Sequence, residues 1–171
     1  GDHSFWHSAQ KKGYSGVGIA SKIKPHHNEY GCGIEHYDSE GRIMRADFED
    51  FSVISVYVPS ASNIDRLDFK MKFCYDFLDY IKELKKTIPN LIICGDFNDT
   101  PASYTYRTVK GDLTDGFRDC GSGFGYTFRQ LKRIFRIDYI IYSPDFKGVT
   151  YDSPNLDYSD HKPVVWLGYV N

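Results

Sequence analysis

The sequence predicts a single domain of mixed α/β layers in which sheets pack on one another. The chain of 171 residues is long enough for one sizeable core and too short to argue for two. Alternating apolar segments typical of strands recur along its length, with helical patterns inserted between some of them. No internal repeat, low-complexity tract or linker divides the chain. One layered domain therefore accounts for the whole sequence.

The first half predicts three strands. Residues Tyr14–Lys22 (YSGVGIASK) alternate small and apolar side chains, whereas the opening stretch before them has no strand-like pattern. Residues Arg42–Phe48 and Phe51–Val58 alternate as well, and Glu49-Asp50 stands between them as a turn. Two alternating runs joined by turn residues predict a hairpin.

The clearest helix follows this hairpin. Apolar side chains recur at alternating steps of four and three, which makes one helical stripe. Its members are Leu67, Met71, Cys74, Leu78 and Ile81. Ser62 or Asn63 can cap the helix start, and Pro89 closes the segment after a lysine-rich last turn.

The second half predicts more strands around one short helix. The run LIIC (91–94) has the composition of a buried strand. Thr100 followed by Pro101 has the pattern of an N-cap and a first helical residue, which predicts a helix over residues 101–110. The remaining strands are expected near residues 126–128, 136–143, 148–152 and 163–170.

Composition narrows the class of protein. A formal net charge of −2 argues against strong sequence-independent binding of nucleic acid by the whole chain. The four cysteines are scattered without a CxxC motif, which favours buried thiols in a reducing compartment over disulfides or a zinc site. We therefore expect a cytoplasmic protein. No apolar run approaches the roughly 18 residues of a membrane helix, and the start lacks a signal-peptide pattern.

Three strand ends carry polar side chains that could take part in catalysis. ICGDFN ends with Asp96 and Asn98, RIDYIIYS contains Asp138, and YSDHKPVVW places Asp160 and His161 before the last strand. Each residue alone is more commonly a turn or surface residue. A carboxylate in an apolar strand is nevertheless costly unless it is hydrogen-bonded or metal-bound. A sheet can bring such strand ends into one cleft.

The chemistry of this set indicates metal-assisted hydrolysis. It combines carboxylates, a carboxamide and one imidazole, and no serine or cysteine nucleophile motif accompanies them. Hard oxygen ligands favour Mg²⁺ or Mn²⁺ over zinc.

The motifs GDFN, RIDY and SDH, in that order, resemble the signature of the endonuclease/exonuclease/phosphatase superfamily. Upstream, SAQKKGYSGVGIASK, GIEHYDSEGRIMRADF, SVYVPSAS and RLDFKMKFCYDFLDYIKEL resemble the exonuclease III family of apurinic/apyrimidinic endonucleases. The resemblance implies a four-layer α/β/β/α sandwich of two mostly antiparallel sheets. It also implies a magnesium-dependent DNA repair nuclease, either an endonuclease at abasic sites or a 3′-exonuclease.

The resemblance also implies roles for single residues. Asp96 would orient or deprotonate the attacking water, and Asn98 would hold that water or a phosphate oxygen. Tyr57 would approach the phosphate or the leaving group. Asp138 would hydrogen-bond His161 and so determine which ring nitrogen faces the phosphate.

Metal and phosphate contacts complete the expected site. Asp160 would be a metal ligand. Basic residues flank the first strand and recur in FRQLKRIFR (128–136), where they could meet a phosphate backbone or form an ordinary solvated face. The expected contacts to DNA or substrate phosphate are Asn98, Tyr57, Arg136, Lys11 and Lys12.

Two departures from the family pattern affect these expectations. The strands that carry the family's Asn and metal-binding Glu have no match, so residues 1–171 are expected to form an N-terminally incomplete domain with open sheet edges that could pair with another chain. Such a chain would bind Mg²⁺ loosely and be a weak or inactive enzyme. Residues 1–98 resemble exonuclease III, whereas residues 95–171 resemble shorter phosphodiesterase-like hydrolases of the same superfamily.

Several alternatives stay open from the sequence. The change of resemblance fits either a chimera or a divergent natural protein. Besides a DNA nuclease, the chain could be a phosphodiesterase or phosphatase acting on small or lipid phosphoesters, or a non-catalytic scaffold.

Overall fold

The computed structural model describes residues 2–130 and 133–171. Lys132, which belongs to the predicted basic segment, lies outside the described residues. The helices of the described ranges are α1 (Glu35–Asp38), α2 (Ile64–Leu84), α3 (Tyr104–Lys110) and α4 (Gly116–Cys120). The strands are β1 (His3–Ser8), β2 (Gly16–Ser21), β3 (His27–Tyr30), β4 (Ile43–Asp47), β5 (Ser52–Tyr57), β6 (Leu91–Asp96), β7 (Thr114–Asp115), β8 (Phe128–Gln130), β9 (Arg133–Phe135), β10 (Asp138–Tyr142), β11 (Phe146–Asp152) and β12 (Val165–Val170).

A six-stranded sheet in the order β3-β4-β5-β6-β10-β7 forms the centre of the fold. Strands β5 and β6 run parallel, and every other neighbouring pair in this sheet is antiparallel. The predicted hairpin is confirmed as β4–β5. Helix α2 connects β5 to β6, which supplies the long crossover that a parallel pair requires.

Helix α2 packs on one face of this sheet and builds the main apolar core. Ile54 and Val56 of β5, Ile93 of β6, and Phe73 and Phe77 of α2 belong to this core and are at most 1% exposed. Burying each such side chain contributes about 1.5–3 kcal/mol. Tertiary packing of this kind is what makes a long surface helix stable.

Two hairpins lie against the opposite face of the sheet. Because Ile43 of β4 belongs to the α2 core, its neighbour Met44 points to the other face, where it is buried and where β1–β2 packs against β4 and β5. Hairpin β11–β12 packs on β10 through Trp166, whose ring centre lies 4.5 Å from that of Tyr142. The predicted layered fold with mostly antiparallel sheets is confirmed.

Both hairpins keep an unpaired strand edge within the part of the chain that the structure describes, because each forms a two-stranded sheet of its own. The pairing of such edges with another chain stays a prediction.

Helix α2 begins where the sequence predicts, and its buried stripe includes Cys74 and Ile81 of the predicted one but not the other three members. The side chain of Asn63 caps it through a 2.9 Å hydrogen bond from the backbone N–H three residues on. Lys70, Phe73 and Phe77 are buried, whereas Leu67 of the predicted stripe is 47% exposed. Two neighbouring apolar faces compete on this helix, and the face with the bulky aromatic rings is the one that meets the sheet.

Helix α3 begins later than predicted. The sequence predicts Thr100 as the N-cap and Pro101 as the first helical residue. In the structure Pro101 lies in a turn, and Ser103 caps a helix that begins at Tyr104. The Ser103 hydroxyl accepts a 3.0 Å hydrogen bond from the third helical N–H, which satisfies a donor that the helix itself leaves unpaired.

Strand β1 was not predicted. Residues His3–Ser8 pair along their whole length with Gly16–Ser21 of β2. Their two apolar side chains, Phe5 and Trp6, are adjacent in sequence, so no apolar period marks the strand. Pairing with β2 is what makes this segment extended.

The four cysteines are free thiols, of which Cys74 is buried and the other three are half-buried. Burial raises the pKa of Cys32 and of Cys74 to about 11. Among the described residues, no helix combines the length and the apolar composition needed to cross a bilayer.

Candidate active site

The register of the central sheet aligns three of the predicted site residues in one row. Tyr57 of β5 lies beside Asp96 of β6, and Asp96 lies beside Asp138 of β10. Paired residues of neighbouring strands project to the same face of a sheet, so these three side chains share the face that carries the hairpins. They also share one end of the sheet, because Tyr57 and Asp96 end their strands and Asp138 begins its own.

His161 reaches this row from the segment that precedes β12. A backbone bridge pairs His161 with Phe128, and the two ring centres lie 4.8 Å apart. The imidazole Nδ1 lies 2.9 Å from Oδ2 of Asp138. This contact directs the other ring nitrogen, Nε2, away from Asp138. Asp96, Asp138 and His161 each offer one ligand atom, and these atoms all lie within 4.8 Å of one another.

The cluster shifts the titration of its own members. The pKa of Asp96 is raised to about 6, mainly by burial and also by the charge of Asp138, while the N–H of Asn98 and the charges of His161 and Lys70 act to lower it. Burial acts to lower the pKa of His161, but the hydrogen bond to Asp138 and the nearby carboxylates outweigh it, so this pKa is raised. A carboxyl that titrates near neutrality beside a readily protonated imidazole is typical of acid–base sites.

Asn98 lies in the turn that follows β6. Its backbone φ is +50°, a left-handed value that no other non-glycine residue adopts in residues 2–130 and 133–171. Its backbone N–H donates to Oδ1 of Asp96 at 2.7 Å, and its side-chain Nδ2 donates to the carbonyl of Val58 at 2.8 Å. These two bonds tie the turn to the ends of β6 and β5 and hold the carboxamide next to Asp96.

Lys70 of α2 supports the same turn, and sequence reasoning missed it. The residue is 3% exposed, its Nζ donates to the carbonyl of Asn98 at 2.9 Å, and it lies 3.2 Å from Oδ2 of Asp99. The signal was present, because Lys70 precedes Phe73 and Cys74 by three and four residues and therefore lies on a buried helical face.

Tyr57 is flanked by a buried arginine. The Arg42 guanidinium lies 5.0 Å from the centre of the Tyr57 ring, and its Nη1 donates to the Tyr57 carbonyl at 3.1 Å. Glu40 accepts from Nε of Arg42 at 2.6 Å. The end of β5 is thus held in place beside Asp96.

Lys11 and Lys12 lie exposed in the β1–β2 turn. The hydroxyl of Tyr14 in that turn accepts from Nη2 of Arg66 at 3.3 Å, and Arg66 lies 3.5 Å from Glu40. A continuous series of contacts therefore connects this turn with the segment that flanks Tyr57. The role of the two lysines in binding phosphate stays a prediction.

Asp160 lies outside the cluster of possible ligands. It is exposed, and its carboxylate accepts only a long, 3.3 Å hydrogen bond from the Ser159 hydroxyl among the described residues. Asp160 lies in the bend that precedes His161, and its exposed side chain is not among the possible ligand atoms. The structure groups Asp138, rather than Asp160, with Asp96.

The predicted role of Arg136 is wrong. The sequence suggested a contact to DNA or phosphate, but this side chain is 8% exposed and donates from Nη1 to both carboxylate oxygens of Asp115, at 3.0 and 2.8 Å. Its guanidinium lies 4.7 Å from the ring centre of Phe117 and 4.9 Å from that of Tyr139. Two residues before β10 the Arg136 side chain turns into the fold, where it is buried against Asp115 and the aromatic rings.

We expect Arg136→Met to lower the free energy of unfolding by about 3–5 kcal/mol, because Asp115 would be left buried without its cation. Urea denaturation of the variant measures this loss. The exposed Arg129→Met is the matched control, and its stability should change little. Unchanged stability of the Arg136 variant together with weaker DNA binding would contradict the structural role.

The carboxylates of the cluster fit a hard divalent cation. Asp96 and Asp138 offer oxygen donors, which Mg²⁺ and Mn²⁺ prefer. Nδ1 of His161 is already engaged by Asp138, so Asp96 and Asp138 are the residues that would hold such an ion.

Comparison with known proteins gives consistent matches. The model of the endonuclease/exonuclease/phosphatase family matches residues 1–161. An exodeoxyribonuclease of Bacillus subtilis is 32% identical over 196 aligned residues, covering 95% of this chain and 77% of that protein. The DNA repair nuclease APEX1 of Danio rerio is 30% identical, covering 95% of this chain and 63% of that protein. This chain thus spans less than two thirds of the Danio rerio protein.

Solved structures show the same fold. A variant of the 3′ phosphatase NExo from Neisseria, bound to a product DNA hairpin, superposes with a TM-score of 0.83 at 25% identity, covering 98% of this chain and 79% of that one. The catalytic domain of Xenopus laevis APE2 gives a TM-score of 0.83 at 21% identity, covering 98% of this chain and 76% of that one. The second likeness concerns the fold alone.

Proposed function

Because the chain belongs to the endonuclease/exonuclease/phosphatase family, we propose that it hydrolyses phosphoester bonds of DNA in the manner of a metal-dependent repair nuclease. The observation that carries this proposal is the cluster of Asp96, Asp138 and His161, whose ligand atoms lie within 4.8 Å of one another. The relatives support it, since they include an exodeoxyribonuclease and a DNA repair nuclease.

The cluster can divide the chemistry between two groups. Asp96 ends β6 beside the turn that carries Asn98, where it can orient a water and accept its proton. Asn98 is held beside it and can position that water or a phosphate oxygen. A phosphodiester requires an aimed nucleophile as well as stabilisation of the negative charge that develops.

The pair of Asp138 and His161 can act on the phosphate or on the leaving oxygen. Asp138 orients the imidazole through Nδ1, and Nε2 can donate a hydrogen bond or a proton to the phosphate or the leaving oxygen. A Mg²⁺ ion held by Asp96 and Asp138 would offset the charge of the phosphate. Tyr57 lies in the same row and is placed to contact the substrate.

A smaller phosphoester is the second candidate substrate. The alignment with the Bacillus protein extends over 196 residues, more than the 171 of this chain, so that relative carries residues with no counterpart here. The segment between Asn98 and Asp138 resembles shorter hydrolases, and a shorter segment offers less surface to grip a duplex.

Free thiols favour a reducing compartment, so we propose that the protein acts in the cytoplasm.

The proposed metal dependence predicts that hydrolysis requires added Mg²⁺ or Mn²⁺ and stops in a chelator. The purified chain is incubated with labelled duplexes that carry an abasic site, a recessed 3′ end or a 3′-phosphate, and with a small chromogenic phosphodiester. Mg²⁺ is titrated with each substrate, and the required concentration should be high because only two carboxylates would hold the ion.

Cleavage of the DNA substrates supports the nuclease, and cleavage of the small diester alone supports the second candidate. No metal-dependent cleavage of any substrate would leave a non-catalytic scaffold.

A further inference from the structure

Lys70 is an ammonium group buried under the active-site turn, and the proposed reaction gives it no direct role. The side chain is 3% exposed within the α2 core, which includes Phe73 and Cys74. Burying a charge is costly unless hydrogen bonds and an opposite charge compensate it. An apolar residue would satisfy the packing of α2 at lower cost. Packing therefore does not explain a cation at this position, whereas the polar contacts of Lys70 do.

Those contacts concentrate on one short turn. The Lys70 Nζ donates to the carbonyl of Asn98 at 2.9 Å and lies 3.2 Å from Oδ2 of Asp99. The carbonyl of Asp99 also accepts from the hydroxyl of Tyr139 at 2.8 Å. The turn is therefore held from below by a helix and by strand β10.

The held turn is also the one that presents the reacting groups. Asn98 adopts a left-handed conformation, which is strained outside glycine and persists where neighbouring contacts enforce it. Its N–H donates to Oδ1 of Asp96 at 2.7 Å, and its amide donates to Val58 at 2.8 Å. Lys70 binds the carbonyl of the same residue, so it restrains the residue whose N–H bonds Asp96 and whose side chain is the carboxamide.

We infer that Lys70 is a positioning residue that holds residues 96–99 in the conformation that hydrolysis requires. It does not reach the substrate, because it lies beneath the turn and is buried. The inference rests on the proposed function for its catalytic consequence, whereas the effect on the turn can be measured without any reaction. The Asp96 carboxylate and the Asn98 carboxamide would lose their fixed relation if this cation were removed.

Three variants test this role. Lys70→Met removes the charge and keeps an apolar stem suited to the buried face of α2. Lys70→Arg keeps a cation with hydrogen-bond donors. Lys72→Met, at an exposed position of the same helix, is the matched control. For each variant we would measure kcat and KM on a DNA duplex, the melting temperature, and amide hydrogen exchange of the metal-free protein.

We expect Lys70→Met to lower kcat on the order of 10- to 100-fold, with KM within about twofold of the parent, because a small misplacement of reacting groups affects the chemical step. The amides of residues 97–100 should exchange faster, whereas those of β5, β6 and α2 should keep their protection. Lys70→Arg should regain most of the kcat and of the protection, and Lys72→Met should match the parent.

Three results would overturn the inference: a Lys70→Met variant with the kcat and turn exchange of the control, faster exchange across the whole domain, or no recovery in Lys70→Arg. If the parent chain hydrolyses none of the substrates, the proposed function fails. The exchange comparison in metal-free protein still decides whether Lys70 holds the turn.

Discussion

Asp96→Asn is expected to abolish hydrolysis, with kcat lower by on the order of 100- to 10,000-fold. The carboxamide keeps the size of the side chain and can still accept the N–H of Asn98, but it cannot take a proton or bind a cation as a carboxylate does. Steady-state rates on a labelled DNA duplex measure the loss. Asp112→Asn is the control, since Asp112 is exposed and pairs with Lys85 at 2.9 Å. Activity retained in the Asp96 variant would refute the assignment of the site.

The same variant should be at least as stable as the parent at neutral pH when no divalent metal is present. The folded-state pKa of Asp96 is raised from 3.8 to about 6, mainly by burial. Ionisation of this carboxyl therefore destabilises the folded state above about pH 6, and the cost disappears as the pH falls toward the ordinary carboxyl pKa. The stability advantage of Asp96→Asn should shrink accordingly between pH 7 and pH 4. This pattern, measured by denaturation in a chelator, separates a catalytic loss from unfolding.

His161→Ala is expected to reduce kcat by on the order of 100- to 10,000-fold, because the group that faces the phosphate or leaving oxygen is removed. Single-turnover rates on the same duplex isolate the chemical step. His27→Ala is the matched control, as His27 is exposed and pairs with Glu29 at 2.9 Å. Asp138→Asn should lose much of the same activity, and adding His161→Ala to it should cost little more, since the two residues act as a unit. Additive losses would show that Asp138 does not act through His161.

The contact between Asp138 and His161 also predicts how the stability of the fold changes with pH. Although burial acts to lower the pKa of His161, the hydrogen bond and charge of Asp138 raise it above the ordinary value. The imidazolium therefore stabilises the fold fully below the ordinary pKa of histidine, about 6.5, and this contribution is lost as the pH rises through the folded-state pKa. The difference in stability between the parent and His161→Ala should shrink over that interval.

Sequence motifs were sufficient to select the residues of the cluster. Asp96, Asp138 and His161 stand at strand ends where carboxylates and imidazoles have no packing reason to be, and the structure brings them together. Asp160, next to His161 in sequence, points outward instead. Which of two adjacent polar residues faces a site depends on the direction of the backbone, and a bridge to Phe128 decides it here.

The two buried cations show a different limit of sequence reasoning. Arginine and lysine side chains usually contact solvent or phosphate, and Arg136 lies in a basic segment. A charged side chain is buried only where the fold supplies its partner, and Asp115 and Asp99 become partners only after β7, β10 and α2 have packed. Charge patterns along the chain cannot show that partner in advance.

By itself the sequence determined the layered α/β class, the β4–β5 hairpin, helix α2 with its Asn63 cap, and the residue types of the candidate site. These features follow from local periodicity, capping chemistry and short motifs. Only the tertiary structure decided the strand order that aligns Tyr57, Asp96 and Asp138, the face of α2 that is buried, and the strand at His3–Ser8. Those features depend on pairings between residues far apart in sequence, whose energies no local pattern contains.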